Sequence, residues 1–418
     1  MEVNINRLMN DFASVTKHNR TPGQGFTRYS YSEEDKRARE YLFSEIKQLG
    51  LSVKVDAIGN IRAKYGDPSK PSIMIGSHID TVENGGKFDG LAGSLAALEV
   101  IRVLQEEKLE LTQPVELIIF AEEEGSNFGI PLLGSKVLTG KYSIDDLKAI
   151  KNDANQSVYQ VAKSFNLNID DIEKDQLQAS EVAAMIELHI EQGGVLEAKQ
   201  KTIGVVQAIA GMKTIKITLE GDSNHAGTTP MELRRDPMVG ASHIIAYIQK
   251  AAKEGALPTT VATVGKIASQ PNMPNVIPQK IEFYADVRDV DLTGVEMVLT
   301  EIEQKVEEVC QENSLKGEIE LVGQSKSVKL ASRIVDLIEA KAKEQELPYL
   351  KMNSGAVHDA VMLTDVADVG MIFIPSVGGK SHSPLEYTSE QDIKTGCDLL
   401  LHVVKELVTA KQVTKTTS

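Results

Sequence analysis

Two short apolar runs, each breaking abruptly into a polar cluster, restrict the fold more than any other feature of the chain. The first is Ile73-Met74-Ile75-Gly76, which gives way to Ser77-His78-Ile79-Asp80; the second spans 115–121 and gives way to Glu122-Glu123-Glu124. Neither alternates polar with apolar residues, as a strand with one wet face does, so both read as strands covered on both sides. A helical apolar pattern over 95–109 separates them. Strands and helices in that alternation belong to an α/β sheet layered with helices. In such sheets chemistry collects in the loops leaving the strand ends, where both polar clusters fall.

At 418 residues the chain exceeds one ordinary core, and its pattern divides it. Ser32 and Asp35 open an amphipathic helix carrying Ala38, Tyr41, Leu42, Ile46 and Leu49 and closed by Gly50, and Val53 and Val55 then alternate as a strand. From Lys213 the order becomes strand (214–219), helix (238–253), strand (260–267), strand (281–287), helix (295–311) and strand (317–322). This βαββαβ order is the split ferredoxin-like unit, a complete small domain. A helix over 327–346, a strand over 370–375 and a helix over 389–410 return to the style of the first segment. The small domain is therefore read as an insertion, 211–325, in an outer domain made of 1–210 and 326–418. The lysine- and threonine-rich tail beyond Thr409 is expected to fray.

A net charge of −15 argues against a polyphosphate or anionic-membrane surface, which needs clustered Lys and Arg. Residues 1–17 mix charges with Asn and lack the apolar core of a signal peptide or membrane anchor, and no run reaches the length of a membrane span. Cys310 and Cys397 lie in helical patterns without metal-type spacing, so no disulfide framework is expected and a reducing compartment, the cytoplasm, is favoured.

The chemistry-bearing residues cluster in a few motifs. In Gly76-Ser77-His78-Ile79-Asp80-Thr81, residues two apart share a face, so His78 can bind a metal while Asp80 orients its imidazole. Asp89, in Lys87-Phe88-Asp89-Gly90, could bridge a metal pair. Glu122-Glu123-Glu124 would repel one another unless cations neutralise some of them, and adjacent glutamates can divide ligation from proton transfer. His189 stands in Glu187-Leu188-His189-Ile190-Glu191-Gln192-Gly193 and His382 in Gly379-Lys380-Ser381-His382-Ser383-Pro384. Each histidine alone would read as structural. Together with His78, Asp89 and the glutamates they supply the ligands that two ions sharing a carboxylate require. The inserted segment adds Asn224-His225-Ala226-Gly227-Thr228-Thr229-Pro230, Asn275 within Pro274-Asn275-Val276-Ile277-Pro278, and Asp286-Val287-Arg288-Asp289. Arg288 could hold a carboxylate bidentately or be spent on a salt bridge to Asp286 or Asp289. His358-Asp359 could shape the cleft; His18, His243 and His402 read as structural or surface residues.

In this order, around an inserted βαββαβ domain, the motifs resemble the two-zinc aminoacylase and carboxypeptidase superfamily over nearly the whole chain. Glu-Leu-His-Ile-Glu-Gln-Gly at 187–193 and His-Ala-Gly-Thr-Thr-Pro-Met at 225–231 resemble its amidase, hydantoinase and carbamoylase branch; the peptidase branches usually place a carboxylate where His189 stands. The resemblance implies a zinc-exopeptidase-like catalytic domain with an inserted lid and dimerisation domain, and two divalent ions per subunit. One ion would be held by Asp89, Glu124 and His382, the other by His78, Asp89 and His189. Zinc is the first choice, although manganese, cobalt or nickel suits the same donors. Glu123 would be the general base and Asp80 the partner behind His78. His225 would stabilise the oxyanion, across a homodimer interface. Gln192, Lys213, Asn275 and Arg288 would contact a small carboxylate substrate. The reaction implied is hydrolysis of the ureido C–N bond of an N-carbamoyl-L-amino acid; allantoate is the alternative substrate, and aminoacylase or dipeptidase activity a further one. Lys213 stands where allantoate amidohydrolases tend to carry arginine, and Val357 replaces a glycine usual in its motif. A non-catalytic binding protein on this fold would be expected to lack a ligand or the base, and none is missing.

Overall fold

The computed structural model describes residues 1–409; the tail expected to fray, 410–418, lies outside them. The chain divides into two compact units. Met1–Gln207, Leu330–Met352 and the segment from Val357 onward form the first, and Ala208–Lys329 with Asn353–Ala356 the second. The inner unit thus begins before the expected 211, ends after the expected 325, and takes in a short piece that the linear reading left outside. Main-chain pairing accounts for this: Val328 and Lys329 pair with Ile209 and Ala208, carrying the inner unit past both expected cuts.

The first unit is built on a mixed sheet whose strands run in the order Val53–Val55, Ile61–Tyr65, Val115–Phe120, Ser72–His78, Val182–Ile190, Asp368–Ile374, Ile203–Ile209. The central four are parallel, and the outer pairings are antiparallel. Ser72–His78 and Val115–Phe120 are buried at every position, which is why their sequences are apolar without alternation. Helix Leu91–Glu106 packs on the strand Ser72–His78, and helix Glu390–Thr409 packs on both that helix and the strand Asp368–Ile374. Glu33–Gln48 starts where its sequence signal lies: Ser32 accepts from Asp35 N at 3.2 Å.

Elements outside the sequence reading include helix Ile5–Val15, strands Ile61–Tyr65, Ile203–Ile209 and Tyr349–Ser354, and the short helices Leu133–Leu138, Ile144–Ala149 and Val158–Ser164. Each of these short helices is under two turns, too brief for a helical period to register. They close over a small core of Ile58, Phe128, Leu133, Leu147, Val158 and Ile169.

Register brings the candidate site residues to one edge. His78 pairs with Phe120, and His189 with Phe373, so these strands end at one edge. The loops carrying Asp80–Asp89, Glu122–Glu124, Gln192 and His382 all leave from it.

The second unit is an antiparallel sheet in the order Lys316–Ser325, Gly211–Glu220, Lys280–Asp289, Val261–Gln270. Helices Pro237–Glu254 and Leu292–Glu312 cover one face, burying Ile215, Ile217, Ile244, Phe283, Val298 and Ile302. Strict alternation along Lys280–Asp289 follows from having helices on one side only. This is the βαββαβ order read from the sequence. The short strand Asn224–His225 pairs with Val276–Ile277 and brings the His225 and Asn275 motifs together. Among the described residues no helix is long and apolar enough to cross a membrane.

Candidate metal centre

At that edge of the first unit, Asp89 stands between two sets of side chains. Its Oδ1 lies 3.1 Å from His189 Nε2 and 3.4 Å from His78 Nε2, while its Oδ2 lies 3.4 Å from His382 Nε2. His382 Nε2 is also 3.3 Å from Glu124 Oε2. Each trio, His78–Asp89–His189 and Asp89–Glu124–His382, offers donor atoms within 4.8 Å of one another. A third such group, Glu187–His189–His358, lies buried behind them. Gly90 (φ +60°) is required at the first trio, because a Cβ there would stand 2.4 Å from His78 Nε2.

The imidazoles are oriented by main-chain carbonyls. His189 Nδ1 donates to Ile190 O at 2.8 Å and His78 Nδ1 to Asp80 O at 3.1 Å, so both rings turn Nε2 toward Asp89. Asp80 was expected to do this with its carboxylate. That carboxylate is farther off, 3.7 Å from Nδ1, and its nearer partners are the N–H groups of Glu123 (3.3 Å) and Glu124 (3.1 Å). Asp80 therefore fixes the glutamate loop as much as the histidine.

The three glutamates separate. Glu122, at φ +53°, turns inward, and its Oε1 accepts from Asn127 N (2.8 Å) and Phe128 N (3.1 Å). Glu123 lies 3.7 Å from His78 Nε2 without belonging to either trio, and Glu124 belongs to the second. Burial, then the charges of Glu124 and Asp359, hold the Glu123 carboxyl well above the usual range; His78 opposes them. Glu124 is pushed up to about 8 by burial and by Asp89. For Asp89, burial acts upward, but His189, His382 and His78 hold it well below the usual range.

The donor set fits a pair of divalent cations. Both trios are imidazole nitrogens and carboxylate oxygens, the ligands of borderline metals, and one carboxylate serves both. Two buried acceptors at the cluster, Glu124 Oε1 and Gln192 Oε1, have no hydrogen-bond partner among the described residues, a costly condition that a nearby cation relieves.

Gln192, expected at the substrate, sits on the shared carboxylate: its Nε2 is 2.6 Å from Asp89 Oδ2 and 3.4 Å from His382 Nε2. His358 packs its ring against His189, with centroids 4.5 Å apart, and so lies behind a ligand-type histidine. Two residues at the cluster were missed by the sequence reading. Ser381 Oγ is 3.0 Å from Asp89 Oδ2, and the buried Glu386 accepts from the N–H groups of Phe88 and Asp89. Their only signal was nearness to His382.

The other predicted residues belong to the second unit. His225 is exposed, and its Nδ1 accepts from Gly227 N (3.0 Å) and Thr228 N (3.2 Å), which assigns the ring hydrogen to Nε2. Arg234, not singled out from sequence, braces this turn through the carbonyls of Ala226 (2.6 Å) and Thr229 (3.0 Å). Asn275 O accepts from Ala226 N at 3.0 Å. Arg288 is spent in part on the salt bridge left open above, 2.6 Å from Asp286 Oδ1, with Nη1 donating to Gly355 O at 3.0 Å. Lys213 is ion-paired with Glu296.

The sequence pattern of peptidase family M20/M25/M40 matches residues 74–406. The chain belongs to this family. It is 37% identical over 387 residues to an N-carbamoyl-L-amino-acid amidohydrolase of Paenarthrobacter aurescens, covering 92% of this chain and 94% of that one. An allantoate amidohydrolase of Escherichia coli (strain K12) is 34% identical over 392 residues, 93% of this chain and 95% of its own. The crystal structure of a hydantoinase/carbamoylase family amidase from Burkholderia multivorans superposes with a TM-score of 0.89 at 32% identity, covering 96% of this chain and 97% of that one. Within the M20 family the chain thus falls in the hydantoinase/carbamoylase branch, as its motifs imply, and it is a hydrolase of carbon–nitrogen bonds. Members of the family generally use a dinuclear metal site, and the clustered groups around Asp89 could hold one.

Proposed function

We propose that this enzyme hydrolyses the ureido C–N bond of N-carbamoyl-L-amino acids, releasing the amino acid, carbon dioxide and ammonia. The observation that carries the reading is Asp89 turning one oxygen to His78 and His189 and the other to His382, with Glu123 beside the cluster but outside both trios. His78, Asp89 and His189 would hold one divalent ion and Asp89, Glu124 and His382 the other, zinc by first choice. Such a pair supplies Lewis-acid polarisation and an activated water.

The remaining work falls to the chain's own groups. Glu123 takes the proton of the attacking water at its carboxylate and returns it to the departing nitrogen, a role served by burial that raises its proton affinity. His225, with hydrogen on Nε2, donates to the developing oxyanion. Arg288 keeps part of its five-donor fork for a carboxylate after its bonds to Asp286 and Gly355, and Asn275 and Gln192 complete the polar contacts. Water adds to the ureido carbon, the bond to the amino-acid nitrogen breaks, and the carbamate released falls apart to carbon dioxide and ammonia.

We further propose a homodimer through the inserted unit, in which His225 serves the partner's centre. Met231, Leu233 and Met273, which flank His225 and Asn275 in sequence, are 73%, 69% and 56% exposed, an apolar display suited to a second copy. The free thiols of Cys310 and Cys397 fit a cytoplasmic enzyme. N-carbamoyl-L-amino acids are preferred to allantoate here because the Lys213 ammonium, paired with Glu296, lacks the fork that spans two acceptors. The test is kcat/KM on N-carbamoyl-L-amino acids, β-ureidopropionate and allantoate with enzyme reloaded with zinc or manganese. A higher value for allantoate than for every carbamoyl amino acid would overturn the substrate assignment and leave the metal chemistry standing.

A further inference from the structure

Glu386 is 5% exposed and sits beside another carboxylate, a placement that a packing role alone would assign to an apolar residue. Its oxygens are fully engaged. Oε1 accepts from the main-chain N–H of Phe88 at 2.8 Å and of Asp89 at 3.1 Å, and Oε2 accepts from Ser381 Oγ at 3.0 Å. Ser381 Oγ is also 3.0 Å from Asp89 Oδ2, so its single hydrogen is shared between the two carboxylates. The loop that carries His382 is closed at its neck by Val377 N to Tyr387 O (2.9 Å) and Thr388 Oγ1 to Pro375 O (3.0 Å). From inside that loop, Glu386 reaches across to the backbone of Asp89, far away in sequence.

The far side of the contact is shaped to admit it. A Cβ on Gly86 would stand 2.1 Å from both Cδ and Oε1 of Glu386. Gly86 has no left-handed φ, so its backbone would accept any residue. What demands glycine is the approach of the glutamate.

We propose that Glu386 is a positioning residue that aims the shared carboxylate of Asp89, locking the loop of Asp89 to the loop of His382, and that Gly86 is glycine to let it do so. The inference rests on the Asp89 cluster being a metal centre. A shared carboxylate serves two ions only while its oxygens face opposite groups, a tolerance on the order of 0.5 Å for such sites. Asp89 divides its oxygens in that way, and the bonds from Glu386 to its own N–H and to the Ser381 hydroxyl hold both ends of the residue.

The experiment compares the zinc-loaded parent with Glu386→Ala, Glu386→Gln, Glu386→Asp and Gly86→Ala. Zinc retained against a graded chelator is counted by elemental analysis, and the metal-stripped proteins are melted in parallel. Glu386→Ala, Glu386→Asp and Gly86→Ala should each lose about 10- to 100-fold in zinc affinity, the range for partners that orient ligands. Glu386→Gln should stay close to the parent, because its amide oxygen still accepts both N–H groups. Gly86→Ala combined with Glu386→Ala should lose no more than Glu386→Ala alone, since both act through one contact. Parent-like affinity in Glu386→Ala, or equal losses in Glu386→Gln and Glu386→Ala, overturns the role. Should the stripped Glu386→Ala protein fail to melt cooperatively, Gly86→Ala decides: parent-like zinc affinity there overturns the proposal. A parent that retains no zinc at all overturns the metal reading itself, a separate result from a parent with two ions and indifferent variants.

Discussion

Replacing Glu122, Glu123 and Glu124 one at a time by glutamine should give three different enzymes, because three neighbouring carboxylates have three different surroundings. Each change swaps an oxygen for an isosteric NH2 and leaves volume untouched, so packing losses are small. Glu122 spends Oε1 on the N–H groups of Asn127 and Phe128. Glutamine retains that acceptor, and a cost of about 1 kcal/mol or less in stability with near-parent turnover is expected. Among the described residues Glu123 meets no backbone donor through its side chain and belongs to neither ligand trio, so Glu123→Gln should keep both ions. It cannot accept a proton, and loss of a general base is worth about 10²- to 10⁴-fold in kcat, or ~2.7–5.4 kcal/mol on the barrier. Glu124 contributes to the second trio and carries an oxygen with no other partner among the described residues. Glu124→Gln should therefore lose at least about 10-fold in affinity for an ion. The assay is ammonia release from an N-carbamoyl-L-amino acid at saturating concentration, with ions per subunit counted on the same samples. Near-parent kcat in Glu123→Gln with both ions present would refute the base assignment. An ion lost from that variant would make Glu123 a ligand, and collapse of activity in Glu122→Gln would mean that the three roles have been divided wrongly.

His382→Ala removes a donor from the second trio and should lower metal content; two tightly held ions in that variant would move the site elsewhere. Gly90→Ala should also weaken metal binding, since its Cβ would strike His78 Nε2, and unchanged zinc affinity would show that the helix start can shift to make room. Mixing inactive His225→Ala with inactive Glu123→Gln subunits should restore activity if His225 acts across a twofold interface; verified heterodimers without rescue would return His225 to its own subunit or remove it from catalysis. Arg288→Ala should lower kcat/KM on every carboxylate substrate, whereas Lys213→Arg should raise the allantoate to carbamoyl-amino-acid ratio. A ratio unchanged in Lys213→Arg removes that residue from substrate choice.

The helix-covered α/β sheet, the inserted βαββαβ unit and the histidines, Asp89 and glutamates of the cluster were legible in the sequence, because each leaves a local trace. Strands buried on both faces become continuous apolar runs such as Val115–Phe120, and a one-sided sheet becomes the alternation of Lys280–Asp289. Ligand-type residues announce themselves by falling just past such runs. Short helices under two turns leave no period to read, and the segment between Leu133 and Ser164 was invisible for that reason. The geometric separation of neighbouring side chains within the cluster is set only by the tertiary structure. Nothing in Glu122-Glu123-Glu124 distinguishes the three; the left-handed turn at Glu122 does, by sending that side chain inward. Asp80 was assigned through its carboxylate, yet its carbonyl makes the shorter contact with His78. Glu386 carried no signal beyond nearness to His382, since its main-chain partners, Phe88 and Asp89, are nearly three hundred positions away. Residue type and spacing report which way a side chain faces along its own strand or helix. What it meets there depends on a second stretch of chain, and only folding brings the two together.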